Sequence, residues 1–229
     1  MQPPLTNLEI NMTLISRLLI GTTLLAALPT AMAASTVDLS VTGSIVPAAC
    51  TPSLSASDFH HGKISKSDLN VDGPTGFTEN KKVATLSVNC TAATVYGIRG
   101  IDNRADTVGN NWYVTPYGLG LTPKGEKIGA HFLEIYPRES LIDGKPAFVG
   151  VGNAAGTVWT SATQGEKGIR NYGELLGFTD TAGALAQPLP IKDATFALKS
   201  YLVIAAAKGL TLTDEVALDG AATIELVYL

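Results

Sequence analysis

The sequence predicts an all-β protein, an antiparallel β-sandwich. Apolar residues recur mostly at every second position, which is the period of a strand with one buried face. The alternating stretches are short, and Gly, Pro, Asn and Asp bound them, as expected of turns. With 23 glycines and no sustained 3.6-residue period, the chain favours short strands and tight turns over helices.

The predicted strands follow one another along the chain. The first, "VDLSVTGSIV", places Val37, Leu39 and Val41 on one face and ends just before Cys50, and the second, "VATLSVNC", ends at Cys90. The others are "TVYGIRG", "NWYVTP", "AHFLEIY", "AFVGVG", "TVWTSA", "YGELLGF", "TFALKSYLVIAA" and "TIELVYL". We expect "TAGALAQPLP" to be a loop that proline ends, not a helix.

Two regions rich in loops interrupt this plan. Residues 51–82 are polar and rich in turn formers, and we expect them to cross from one sheet to the other. Residues 100–175 contain extra hairpins between the early and late strands. Three interpretations of this second region stay open: a surface decoration, a ligand-binding elaboration, or an internal strand that completes the fold.

A secretory signal is predicted at residues 1–33. Arg17 precedes the apolar run "LLIGTTLLAAL", and "PTAMA" then has the small-x-small form of a signal-peptidase site. The run is shorter than the roughly 20 residues that a membrane-spanning helix needs. We therefore expect an exported single domain, 34–229, with no membrane span. Met12 is an alternative start to Met1.

The charge balance bears on the partners. The chain has 16 basic and 20 acidic residues and a net charge of −4. No basic stripe is available to displace counterions from a phosphate backbone. We therefore expect no nucleic-acid partner.

The two cysteines, Cys50 and Cys90, both lie in the exported part. In an oxidising compartment such a pair is expected to form a disulfide. The closed loop contributes about 4 kcal/mol of stability on the chain-entropy model. Two buried free thiols or a partial metal site are the alternatives. The disulfide is favoured, because no CxxC and no histidine at ligand spacing accompanies the pair.

The common catalytic motifs are missing from the sequence. It contains no GxSxG, SxxK, HExxH or P-loop pattern, and we expect neither an enzyme nor a cofactor. The glycine-rich "GLGLTPKG" favours a hairpin over a phosphate-binding loop, because it lacks the third glycine and the strand-to-helix context. Trp112 and Trp159 fit a carbohydrate platform, but such residues more often fill a core or cover a sheet.

The candidate metal ligands are poorly placed, and we expect no metal site. His60 and His61 are adjacent, so on an extended segment their side chains point to opposite sides. His131 is distant in sequence. Asp102 and Asp106 lack the ligand spacing of an EF-hand, and a turn stabilised by their side chains explains them better.

Two stretches of the exported chain resemble the subunits of chaperone–usher fimbriae. In that family, an alternating segment runs into a glycine, two hydrophobic residues, an alanine and a cysteine. The matching residues are Gly43, Ile45, Val46, Ala48 or Ala49, and Cys50. The second cysteine of the family follows on the next core strand, as Cys90 does in "LSVNC".

The last strand carries the second part of the resemblance. A stretch with Gly220 precedes an alternating strand with Ile224, Leu226 and a penultimate aromatic, Tyr228. The resemblance extends over residues 36–50, 83–92 and 195–229 and is weak between them. More narrowly, the ending is similar to that of a fimbrial-like bacterial family of domains of unknown function.

The resemblance implies an immunoglobulin-like sandwich that lacks its last strand, with an apolar groove open beside the C-terminal strand. The acceptor groove and chaperone-binding strand would comprise Ile224, Leu226 and Tyr228. The donor strand, in the short segment 34–43, would comprise Val37, Leu39 and Val41.

The implied function is that of a structural subunit of a surface fimbria, assembled by donor-strand exchange after capture by a chaperone. The implied partners are a periplasmic pilus chaperone, an outer-membrane usher and neighbouring fimbrial subunits, with a host or surface receptor left open. The protein would pass through the periplasm to a fimbrium on the cell surface. The alternative is a secreted or periplasmic binding module or adhesin that does not polymerise, and an exported enzyme is a distant third.

Overall fold

The computed structural model describes residues 39–43, 49–109 and 115–229. The chain divides into two units, 1–44 and 45–229. The described residues of the first unit contain no helix or strand, so the fold belongs to the second unit. No helix in the described ranges is long and apolar enough to cross a membrane.

The second unit is all-β, which confirms the predicted fold class. Its strands are β1 (Cys50–Leu54), β2 (Thr75–Thr94), β3 (Tyr96–Asp102), β4 (Tyr117–Gly118), β5 (Gly129–Ile142), β6 (Lys145–Pro146), β7 (Phe148–Gly152), β8 (Lys167–Gly168), β9 (Leu175–Thr179), β10 (Ile191–Ile204) and β11 (Ala222–Tyr228). One sheet has the order β1-β2-β10-β5-β4, with β6 and β8 also paired to β5. The other has the order β11-β3-β9-β7. The strand pairs in both sheets are antiparallel.

The main core lies between the two sheets. In the first sheet, Leu86 of β2 lies opposite Phe196 of β10, and Val88 lies opposite Ala194. All four side chains are buried, because the period of two sends them to the same face. Phe178 of β9 contacts Phe196 from the other sheet, with ring centroids 4.3 Å apart. This contact joins the two layers.

A second apolar cluster draws no residue from the second sheet. Its buried members are Leu119, Ile128, Leu202, Ile204 and Leu210. Two long connections pack on it: the β1–β2 connection (55–74), through Ile64 and Leu69, and the β10–β11 connection (205–221), through Leu212. Part of the inner face of the first sheet is therefore covered by loops.

The predicted disulfide is confirmed. Cys50 at the start of β1 lies directly opposite Cys90 of β2 and is bonded to it. The bond fixes the edge strand β1 to the sheet. A disulfide is typical of a protein outside the reducing cytoplasm.

Two expectations about the early chain are wrong. Cys50 was expected just after the first strand but begins the first described strand, and residues 39–43 of the predicted first strand are irregular. Val37 and residues 44–48 lie outside the described residues. The segment 51–82 does not cross between sheets, because β1 and β2 are neighbours in one sheet.

The middle of the chain differs from its predicted elements in detail. "NWYVTP" falls largely on residues 110–114, which lie outside the described ranges. "TVWTSA" forms only isolated bridges, such as that between Trp159 and Gly152. Residues 100–175 contain β5 and β7, which are integral to the two sheets. The region is therefore part of both sheets and not only an insertion between them.

Candidate functional site: an open groove beside β11

An open cavity of about 780 Å³, here called the groove, lies over the inner face of the first sheet. Its floor comprises His131, Leu133, Leu198, Ser200, Leu202 and Ile204, from β5 and β10. Leu54 of β1 and the β1–β2 connection also line it. Further lining comes from the β10–β11 connection and from Ala222 and Ile224 of β11.

The register between β5 and β10 explains which side chains form the floor of the groove. Ser200 lies opposite Leu133, and Leu202 lies opposite His131, so these side chains point to one face of the sheet. Farther along β10, Leu198 lies on the same face and also belongs to the main core. The groove is therefore continuous with the core of the sandwich.

The β1–β2 and β10–β11 connections contact each other. The backbone N–H of Ala207 donates to the Asn70 carbonyl at 2.9 Å. An exposed ion pair joins Lys63 to Glu215 at 3.0 Å, and both residues line the groove. Such an exposed pair contributes little stability. It does show that the two connections meet at the groove.

Glu126 anchors the β10–β11 connection to the turn before β5. Its carboxylate accepts hydrogen bonds from the Thr211 backbone N–H, the Thr211 hydroxyl and the Thr122 hydroxyl, each at 2.7 Å. The backbone bond from Thr211 is the main reason that the Glu126 pKa lies below its ordinary value. The connection is thus held where its apolar residues reach the groove.

β11 is the end strand of its sheet. It pairs with β3 along its full length, and in the described part of the chain no strand pairs with its other edge. At its start, Ile224 lines the groove. Leu226 packs against the main core. Tyr228 is 52% exposed, and its hydroxyl accepts a hydrogen bond from the Cys50 backbone N–H at 3.0 Å.

β1 and β11 are joined at one end and border the groove at the other. At one end, the bond between Tyr228 and Cys50 joins them. Toward the other end, Leu54 and Ile224 both line the groove. Residues of two end strands therefore border the open space, whose floor carries Leu133, Leu198, Leu202 and Ile204. The structure brings Ile224 to this space directly, and Leu226 and Tyr228 lie farther along the same strand.

The predicted donor residues belong to the first unit. Leu39 and Val41 are 88% and 90% exposed and lie in irregular chain. Val37 lies outside the described residues. The donor role stays a prediction.

Two histidines line the groove, and sequence reasoning gave neither of them this role. Burial lowers the pKa of His131 to about 4, and the neighbouring His61 adds to the shift. The pKa of His61 is also lowered, first by burial and then by Lys82. Both imidazoles are neutral at pH 7. The signal for His131 was its alternation with Leu133 on one face of "AHFLEIY".

The other candidates have structural roles. Asp102 accepts hydrogen bonds from the backbone N–H groups of Arg104 and Gly118, at 2.8 and 2.9 Å, which fits the predicted turn. The ring of Trp159 leaves no room for a Cβ at Gly152 of β7 or at Gly177 of β9, so it covers the sheet. Trp112 lies outside the described residues. In the described ranges, no group of three or more acidic, histidine or cysteine residues is placed to hold a metal ion.

Similar proteins are found for parts of the chain. Residues 39–115 match the family described as "Protein of unknown function (DUF1120)". The chain is also similar to "Protein GltF" of Escherichia coli (strain K12), with 32% identity over 125 residues. That similarity covers 44% of this chain and 48% of GltF, so the chain spans about half the length of the curated relative that it matches. The family match includes β1, the β1–β2 connection and β2, and thus one side of the groove.

Proposed function

We propose that this protein is a structural subunit of a surface fimbria, assembled by donor-strand exchange after capture by a periplasmic chaperone. The observation that carries the proposal is the open groove that residues of the two end strands β1 and β11 border. An extended segment placed there pairs with β11 through main-chain hydrogen bonds, and its alternate side chains enter the groove.

The apolar residues in the groove support a transient chaperone partner. An open apolar strand edge is an aggregation hazard unless another chain covers it. Ile224 and Leu54 border the open space, and Leu198, Leu202 and Ile204 lie on its floor. A chaperone that lends a strand protects this surface during export, and a neighbouring subunit then replaces that strand.

The N-terminal segment supports a neighbouring subunit as the final occupant. Val37, Leu39 and Val41 alternate with polar residues, which is the pattern of a strand with one buried face. Leu39 and Val41 are almost fully exposed. In a fibre, the donor residues of one subunit enter the groove of the next.

A pair of lysine substitutions on β11 tests the proposal. Ile224→Lys places a charge in the groove, whereas Thr223→Lys places the same charge on the exposed side of the same strand. We expect Ile224→Lys to abolish binding of a synthetic peptide of residues 34–46, as well as self-assembly measured by size-exclusion chromatography. Thr223→Lys should retain both.

Circular dichroism of both variants controls for folding. Equal peptide binding by the two variants would mean that the strand site lies elsewhere. A heat-stable wild-type monomer that binds no peptide and never assembles would contradict the fimbrial function. It would favour a binding module that does not polymerise.

A further inference from the structure

The register of β11 shows which of its backbone groups are unpaired. Just beyond the end of β11, the Leu229 N–H donates to the Val95 carbonyl at 3.1 Å. Because antiparallel strands exchange hydrogen bonds at alternate positions, every second residue of β11 points its N–H and C=O away from β3. These residues are Ala222, Ile224, Leu226 and Tyr228. In the described part of the chain no strand pairs with this edge, so β11 offers an N–H and a C=O at four positions.

The same reasoning defines the free edge of β1. Just beyond its end, the Ser55 N–H donates to the Thr85 carbonyl at 2.9 Å. The register therefore turns the backbone groups of Cys50, Pro52 and Leu54 away from β2. Within the described residues, no strand pairs with this edge either. β1 thus has three positions at which an added strand would have to bond.

Two of these three positions lack a free donor. Proline has no backbone N–H, so Pro52 offers none. The Cys50 N–H already donates to the Tyr228 hydroxyl at 3.0 Å. The N–H of Leu54 remains as the donor of this edge. A strand beside β1 therefore finds far fewer partners than a strand beside β11.

Pro52 also obstructs the approach of another strand. It is the middle residue of the five in β1. One carbon of its ring replaces the amide hydrogen and projects from the free edge, where a paired strand would lie only about 4.8 Å away. Proline on an edge strand is a common protection against pairing with another chain. The edge of β1 is thus closed at its centre and capped at its start.

We propose that a strand in the groove takes its main-chain hydrogen bonds from β11 alone, because Pro52 and Tyr228 close the edge of β1. The inference rests on the proposed function and names the residues that decide which border pairs with the occupant. β1 confines the occupant through side chains such as Leu54, which lines the groove. β11 therefore sets the register of the occupant.

Two N-methylated forms of the 34–46 peptide test this inference. Successive N–H groups of an extended strand point to opposite sides, so each form removes the donors of one side. One form is methylated at Val37, Leu39 and Val41, and the other at Asp38, Ser40 and Thr42. In isothermal titration calorimetry with the full chain, one form should bind about a hundredfold more weakly than the parent peptide, the effect of three lost hydrogen bonds. The other should bind within about threefold of the parent, because its methyl groups face the closed edge of β1.

Pro52→Ala supplies the missing donor and removes the ring from the edge of β1. This variant should bind the parent peptide about fivefold more tightly, the effect of one added hydrogen bond. It should also lose affinity for the form that wild-type protein tolerates. Ser53→Ala is the matched control, because the backbone groups of Ser53 face β2, and it should bind like the wild type. Circular dichroism of both variants controls for folding.

The inference is wrong if both methylated forms bind wild-type protein about a hundredfold more weakly, because the occupant then pairs with both borders. It is also wrong if Pro52→Ala binds all three peptides as the wild type does. Tight binding of the parent peptide in these cases leaves the proposed function intact. If the parent peptide does not bind, or if neither methylated form is weakened, both the inference and the proposed function are wrong.

Discussion

At the scale of single residues, His131 couples the groove to pH. Its ordinary pKa is 6.5, and burial lowers the pKa to about 4 in the folded chain. Between these values the unfolded chain binds a proton that the folded chain does not. The part of the folding stability that depends on a neutral His131 is therefore fully present above pH 6.5, and it is lost as the pH falls towards 4. Partly buried His61 has a pKa lowered in the same direction.

We predict that the His131 imidazole titrates near pH 4. Its protonation should lower the free energy of unfolding by about 3 kcal/mol between pH 7 and pH 4. NMR titration of the ring measures the first quantity. Urea unfolding at both pH values measures the second, and His131→Phe should show a smaller loss than the wild type. A ring that titrates near pH 6.5 would show that His131 is hydrated in solution.

At the scale of elements, the β10–β11 connection docks on β5 at Gly220. A Cβ there would lie 2.9 Å from His131 Cδ2 and 3.1 Å from Leu119 Cδ2. A glycine just before β11 is thus required by close packing. Gly209, in the same connection, has no atom within 4 Å of its Cβ position.

We predict that Gly220→Ala costs about 1–3 kcal/mol of unfolding free energy, because the added methyl group overpacks this contact. Gly209→Ala should be neutral or slightly stabilising, since it only restricts the unfolded chain. Urea unfolding of the two variants gives the comparison. Equal stabilities would mean that the connection moves away from β5 without cost.

The elements that sequence reasoning placed well are those with one buried face. In β10, Phe196, Leu198 and Leu202 are buried at alternate positions, and that pattern is legible in the sequence. β1 carries no such pattern, because four of its five residues are exposed. The polar start of β2 is a strand through backbone pairing, with Phe77 opposite Leu202. Backbone pairing at an edge leaves little trace in side-chain hydrophobicity.

The groove was only half predictable for a related reason. Ile224 could be assigned to it, because the resemblance of the last strand implied an acceptor groove beside it. His131 and Gly220 could not, since their contact joins residues far apart in the chain. The β1–β2 connection is also polar in composition, so its few partly buried apolar residues, such as Ile64, give no period.

At the scale of the whole molecule, one border of the groove depends on the disulfide. β1 pairs only with β2 in the described part of the chain, and its residues after Cys50 are exposed. Little apolar burial therefore holds it to the sandwich. The Cys50–Cys90 bond and the hydrogen bond from Cys50 to Tyr228 fix its first residue.

We predict that replacing both cysteines by serine lowers the unfolding free energy by up to about 4 kcal/mol, the chain-entropy value for a loop of this length. Hydrogen exchange should become faster at residues 50–54, while the buried strands β5 and β10 stay protected under native conditions. The double variant should also bind the 34–46 peptide less tightly, because the groove loses a defined border. Wild-type protein treated with a reducing agent is the matched control and should behave alike. If β1 remains protected without the disulfide, backbone pairing with β2 alone holds this border in place.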